Sequence, residues 1–211
     1  MGKNTEIQRL QLLFQAIGVS PDVATTLAAG LRASWSAQQQ LQNQPDQRDS
    51  TGSVLMPVEV ADLAWYGIDP KVVRQIEPFV QLIPIPAAGG TLMPINANTA
   101  PAEVLMAACP TLTRAQAEQV ILRRRQKPFD NINDVTTVAN MPAATACGAT
   151  ADANAPQPPS KLLTVKSQYF EIYGQLRYEQ HVIRERSVVY RKDKFTPVQV
   201  LRRERLPPDA A

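Results

Sequence analysis

The sequence predicts an α+β fold: a helical domain over residues 1–144, a linker at 145–160, and a small antiparallel β-sheet over 161–211. Three observations carry this. Apolar residues recur at helical spacing between tight, capped turns through the first part of the chain. Thr145 to Ser160 is then rich in Ala, Pro and Asn, the composition of a linker. Beyond it the apolar period changes to two, in segments rich in β-branched residues and tyrosine.

The elements follow in order. Ile7, Leu10, Leu12, Leu13, Phe14 and Ile17 mark a first helix from Glu6, and Gly18 ends it. Ser20, Pro21 and Asp22 are cap, first-turn proline and dipole-matched acid of a second helix, which runs to about Gln40 through Val23, Leu27, Leu31 and Trp35. Gln42 to Ser53 is a polar loop. Pro57 opens a short helix through Leu63 that Gly67 stops, and Asp69-Pro70 caps another reaching about Leu82. After the break at Pro84 to Gly90, helices are expected at about 100–108, 114–126 and 132–139, with Thr113 and Gln116 forming a capping box. Strands are expected from Leu163 through Tyr173, bent near Gly174, then over Val182 to Tyr190 and Val198 to Arg205. Gly18-Val19-Ser20-Pro21 and Gly67-Ile68-Asp69-Pro70 parallel each other, and Thr111-Leu112-Thr113-Arg114 parallels both more loosely; a true repeat and ordinary helix-turn chemistry explain this equally well.

A chain of 211 residues with 44% apolar content can bury a real core. It has no run of 18 apolar residues and no signal-peptide pattern, and Met1-Gly2-Lys3 leads straight into helical sequence, as in an excised or processed fragment. Charge is uneven. Residues 1–160 carry 11 Lys and Arg against 13 Asp and Glu, whereas 161–211 carry 11 against 6. A nucleic-acid binder concentrates positive charge on its recognition unit, and here the excess lies in the strands instead.

No catalytic constellation emerges. His181 is the one histidine, so neither a histidine triad nor a histidine metal cluster can form, and it reads as a solvated turn residue. There is no phosphate-cradling glycine loop and no G-x-S-x-G, so the chain reads as a non-enzyme without a cofactor. Asp46, Asp49 and Asp62 offer oxygens to a calcium ion, but the loop lacks the alternating acids and distal Glu of an EF-hand and reads as solvated. Cys109 and Cys147 enclose 37 residues; they either pair in an oxidising compartment or stay separate thiols, and pairing is favoured because it pins the Ala/Thr/Gly-rich tail around Cys147.

The most informative stretch is Pro94 to Leu105, containing Ile95-Asn96-Ala97-Asn98-Thr99-Ala100. With the turn at Pro110 to Thr113 and the segment Pro128-Phe129 to Val135, it makes a third helix-hairpin-helix-like unit over 95–140. DNA-binding hairpins of this kind use two turn glycines so that backbone amides can approach a phosphate. This turn has none, and Thr113 is more simply a cap. Arg123, Arg124, Arg125 and Lys127 sit at a helix C-terminus, where solvated cations are favoured. Asn96, Asn98, Thr99, Thr113 and Phe129 are therefore read as structural, the asparagines fixing how the chain enters the helix and capping it.

The chain resembles the periplasmic part of the general secretion pathway protein K family, the type II secretion minor pseudopilin K. The carrying residues are Leu10 to Leu13 with Ala16 to Val19, Val58 to Leu63, Gly67-Ile68, Val72 to Val80, Ile95 to Ala100 with Val104-Leu105, Ala115 to Arg124, Pro128-Phe129, Ile132 to Val135, and Ser167 to Phe170. The resemblance implies a small antiparallel pseudopilin-type sheet bearing a large helical domain. It further implies a parent anchored in the bacterial inner membrane by an N-terminal helix absent from this sequence, with this part in the periplasm. The implied partners are minor pseudopilins I and J at the pseudopilus tip, in support of protein export. This sequence departs from the family in its short 42–53 loop, which lacks an aromatic, acidic run and so weakens the calcium expectation. The alternative is a helix-hairpin-helix nucleic-acid-binding protein of the competence DNA receptor type, which shares the I-N-x-N-T-A stretch.

Overall fold

The computed structural model describes residues 2–43, 55–83, 94–140 and 162–207. The chain forms two compact units, Met1–Val165 and Lys166–Ala211.

In the first unit, α1 (Gly2–Ala16) ends where Gly18 adopts a φ of 76°, letting the Val19 amide return to the Phe14 carbonyl at 2.8 Å. The Gln75 side chain caps the same end by donating to the Ile17 carbonyl at 2.8 Å. Helix α2 (Asp22–Asn43) packs back on α1, and Phe14, Leu13, Ala24 and Leu27 bury the seam. Trp35, expected on the buried stripe of α2, is instead 56% exposed.

The helix expected from Pro57 is a 3-10 helix, Val60–Tyr66. Its first turn is closed by Asp62, whose carboxylate accepts from the Val58 and Glu59 amides at 2.9 Å each, and Gly67 ends it at φ 79°. Helix α3 (Pro70–Ile76) starts on the Asp69 cap, which accepts from the Lys71 amide at 2.7 Å. It stops short of the expected Leu82 because Pro78 supplies no amide, and only a 3-10 turn, Glu77–Phe79, follows. Leu63, Ile68, Val73 and Ile76 close the first core over α1 and α2.

The second core belongs to the third hairpin unit. Helix α4 (Ala102–Ala108) turns Leu105, Ala108 and Cys109 into it, while Ala107 faces the first core, so one short helix joins both. Ala117 and Val120 of α5 (Arg114–Gln126), Val135 of α6 (Ile132–Val138), and Phe129 complete it.

A two-residue strand, β1 (Ile95–Asn96), pairs in parallel with β2 (Leu163–Thr164). This departs from the expected boundary. Leu163, where the two-residue period begins, is buried in the second core and not part of the C-terminal sheet. The alternation at 163–173 conceals a break, because Ser167 folds back on Tyr169 through its hydroxyl.

The second unit is an antiparallel meander, β3 (Tyr169–Tyr178), β4 (His181–Tyr190) and β5 (Gln199–Leu206), in the order β3-β4-β5. Strand β3 runs through Gly174 in unbroken register with β4, so no bulge interrupts the pairing there. The irregularity lies in β4, where register against β5 shifts between Val188 and Val189.

Candidate functional site

Residues 95–131 draw the predicted motif residues into one hydrogen-bonded lattice. Asn96 shapes the turn: its side-chain oxygen accepts from the Asn98 amide at 2.9 Å, an Asx turn. Its carbonyl accepts from the amides of Thr99 (3.1 Å) and Ala100 (2.9 Å), and the Thr99 hydroxyl adds a long contact at 3.4 Å. Asn98 then reaches across the unit. Its amide nitrogen donates to the carbonyls of Phe129 (3.0 Å) and Val165 (3.1 Å), while its oxygen accepts from the Phe129 amide at 2.8 Å. One side chain thus ties three segments, and it holds buried Phe129 from both sides of its peptide. Neither asparagine caps α4, whose N-cap is Pro101 without a side-chain bond.

Arg124 completes the lattice. Its Nη1 donates to the carbonyls of Ala97 (2.8 Å) and Ala100 (2.6 Å), closing the same turn from the α5 side. Burial, with the neighbouring Arg125 charge, lowers the Arg124 pKa, but the group remains a cation. The solvated helix-end reading therefore holds for exposed Arg123, Arg125 and Lys127 and fails for Arg124. Its phase gave a signal: Ala117, Val120 and Arg124 lie on one helical stripe, and the first two are buried.

Thr113 is the N-cap of α5 and makes the expected box, with the Gln116 amide donating to the Thr113 hydroxyl at 3.3 Å and the Thr113 amide to the Gln116 side chain at 2.9 Å. Gln116 also donates to the Ala139 carbonyl at 2.7 Å, linking the start of α5 to the end of α6. The Leu112 amide bonds the Cys109 carbonyl at 2.8 Å. The Leu112 and Thr113 amides of the turn are thus both used internally.

A shallow cavity of about 200 Å³ opens between Arg123, Lys127, Phe129, Asp134 and Val138. Lys127 at its rim pairs with Asp130 at 3.2 Å, so its charges do not converge on one sign. Among the described residues no three of His, Cys, Asp and Glu cluster as a metal site. Asp62 is a helix cap, and Asp46, Asp49 and Cys147 lie outside the described residues. Cys109 is fully buried. His181 opens β4 opposite Tyr178, at the hairpin whose Glu179 has φ 51°.

In the sheet, the two-residue period separates two faces. Phe170, Ile172, Leu176 and Tyr178 share one face and are 45–69% exposed, with Ile183 opposite Leu176. On the other face Arg186 bridges Glu171 (3.4 Å) and Glu204, and Arg202 also approaches Glu204 at 3.5 Å. Burial works against the Arg186 charge, but the bonds to Glu204 and Tyr173 and the charges of Glu204 and Glu171 outweigh it and raise its pKa. The first face is apolar along β3 and at Ile183, while the Glu185–Arg203 ion pair (3.0 Å) and Arg205 lie on the same side of β4 and β5. An exposed apolar strip of this kind is suited to packing against another element.

Residues 95–155 match the family model for the type II secretion system, protein K. This supports the resemblance to the general secretion pathway protein K family, over the segment that holds the lattice. The fold is similar to a chain in the crystal structure of the GspK-GspI-GspJ complex from the type 2 secretion system of enterotoxigenic Escherichia coli. The TM-score is 0.58 at 16% identity, covering 95% of this chain and 70% of that one. No curated protein matches the chain in sequence.

Proposed function

We propose that the chain is the periplasmic part of a type II secretion minor pseudopilin K, a structural subunit that caps the pseudopilus tip together with minor pseudopilins I and J and supports export of folded proteins. The observation that carries this reading is the protein K match over 95–155, the segment in which Asn96, Asn98, Arg124 and Phe129 interlock. The hydrogen bonds these side chains make go to the unit's own backbone, which suits a rigid block rather than a ligand site. Fibre growth stacks like subunits head to tail, and a bulky helical unit on one subunit blocks that stacking on one side, as a cap requires.

The exposed apolar sheet face fits packing against a pseudopilin helix, either of the parent chain or of a partner. On this reading the parent is anchored in the inner membrane with this part in the periplasm; among the described residues no helix is long and apolar enough to cross a membrane. An oxidising periplasm also permits a Cys109–Cys147 disulfide, in keeping with the lack of a free cysteine among the described residues.

The test is co-expression with minor pseudopilins I and J of the same bacterium. A soluble ternary complex eluting as one species is expected. Failure to form it with folded, intact partners would remove the tip assignment. Anisotropy with labelled duplex DNA is expected to show only weak binding that disappears with salt, and micromolar affinity surviving physiological salt would reinstate the DNA receptor alternative.

A further inference from the structure

The loop between β4 and β5, Arg191 to Val198, is held rigidly although its side chains are exposed. The Asp193 carboxylate accepts from the amides of Phe195 and Thr196 and from the Thr196 hydroxyl, each at 2.8 Å. Those three donors hold the Asp193 carboxyl below the usual aspartate range, so it stays ionised and the loop stays fastened. Arg191 ties down the other strand of the loop, its guanidinium donating to the carbonyls of Asp193 (3.1 Å) and Lys194 (3.4 Å). The base is clamped to the residue before β3: the Arg191 amide donates to the Gln168 carbonyl at 2.7 Å, and the Gln168 side chain to the Lys192 carbonyl at 3.1 Å. Pro197 further restricts the exit.

This scaffold presents one aromatic ring. Phe195 is 85% exposed, more than any other large apolar residue described, with the Lys194 ammonium 4.8 Å from its centroid. One Asp193 oxygen is taken up by three donors of the loop itself, and Arg191, Lys192 and Lys194 leave the exposed loop with a net positive charge beside the ring. A solvated connecting loop has no need of an apolar tip, and an exposed phenylalanine costs solubility. A rigid aromatic with its backbone already ordered is what a docking anchor needs, because little entropy remains to be lost on binding.

We propose that Phe195 is a docking knob that seats in an apolar pocket rimmed by carboxylates on a partner protein, with Lys192 and Lys194 pairing to that rim. Charge complementarity selects an acidic rim. A protein pocket is favoured over an anionic membrane because a single myristoyl chain, far more apolar than one ring, gives only marginal membrane binding. The choice of pseudopilins I and J as the partner rests on the function proposed above.

The experiment titrates the full chain onto the purified I–J pair. Phe195→Ala is expected to weaken binding by about 30-fold, the effect of truncating an interface anchor. Asp193→Ala keeps the ring but unfastens the loop, and is expected to weaken binding by a smaller factor. Lys192→Glu with Lys194→Glu is expected to slow association and remove its salt dependence. Circular dichroism melts of these surface variants should match the parent chain. Unchanged affinity of Phe195→Ala overturns the knob and leaves the proposed function standing, whereas no binding by the unaltered chain overturns both. Co-sedimentation with phosphatidylglycerol-containing vesicles that depends on Phe195 overturns the choice of a protein partner.

Discussion

Asn98 joins the 98, 129 and 165 segments with a single amide group, so its removal strands several backbone groups at once. Asn98→Ala leaves the Phe129 amide and the Phe129 and Val165 carbonyls without that partner, in a half-buried setting. The expected loss is about 2–4 kcal/mol, since each unsatisfied group costs about 1–3 kcal/mol before water compensates. Asn98→Asp tests the donations: near neutral pH it keeps the acceptor for the Phe129 amide but sets a carboxylate oxygen against the Phe129 and Val165 carbonyls, so it should be destabilised like alanine or more. Urea denaturation with a shared m-value measures this, and an Asn98→Ala chain as stable as wild type would dissolve the clamp. The sequence made Asn98 legible as structural but not its partners, because hydrogen bonds reaching 31 and 67 residues along the chain leave no local pattern. Arg124 is legible from its helical phase, which sets it on the stripe of buried Ala117 and Val120. Composition masked this, as three successive arginines look uniformly solvated.

At the scale of elements, α2 meets the 3-10 helix Val60–Tyr66 through Gly30. A Cβ on Gly30 would stand 2.4 Å from Cγ of the Tyr66 ring, which fills the space a side chain would take. The Tyr66 hydroxyl and the buried Ser34 hydroxyl share a hydrogen bond of 2.8 Å one turn further along. Helix propensity alone favours Gly30→Ala by about 1 kcal/mol. Overpacking costs about 1–3 kcal/mol and opposes it. The prediction is net destabilisation in the wild-type background and a reversal to neutral or stabilising once Tyr66→Ala clears the space, read as a double-mutant cycle in thermal melts. Additive effects would show that the contact is not what fixes Gly30. Capped turns such as Asp69-Pro70 and Thr113 are readable because their chemistry is local. The pairing of β1 with β2 is not, because two short strands far apart in sequence are selected by burial of Leu163 in the core rather than by any period.

For the molecule as a whole, the helical unit and the sheet unit divide the work between them. The first is closed by two cores that meet at α4, and the second presents an apolar face and an ordered loop. The positive excess of 161–211 accompanies the ion-paired sheet, whereas the hairpin unit over 95–140 is close to neutral, with 5 Lys and Arg against 4 Asp and Glu. Cys109 sits at the end of α4 in the second core, and its proposed bond to Cys147 would close 37 residues that include α5 and α6. Loop-closure entropy assigns such a bond about 4 kcal/mol at most. Because Cys109 is fully buried, Cys147→Ser is the variant that removes the bond without cutting into the core. The unreduced chain should weigh two hydrogens less than the reduced one. Its melting temperature should fall on adding reductant, and Cys147→Ser should melt at that lower temperature with or without reductant. Two titratable thiols in chain isolated from an oxidising compartment would rule the bond out, and the third hairpin unit would then be held by its Asn98 and Arg124 lattice and its core alone.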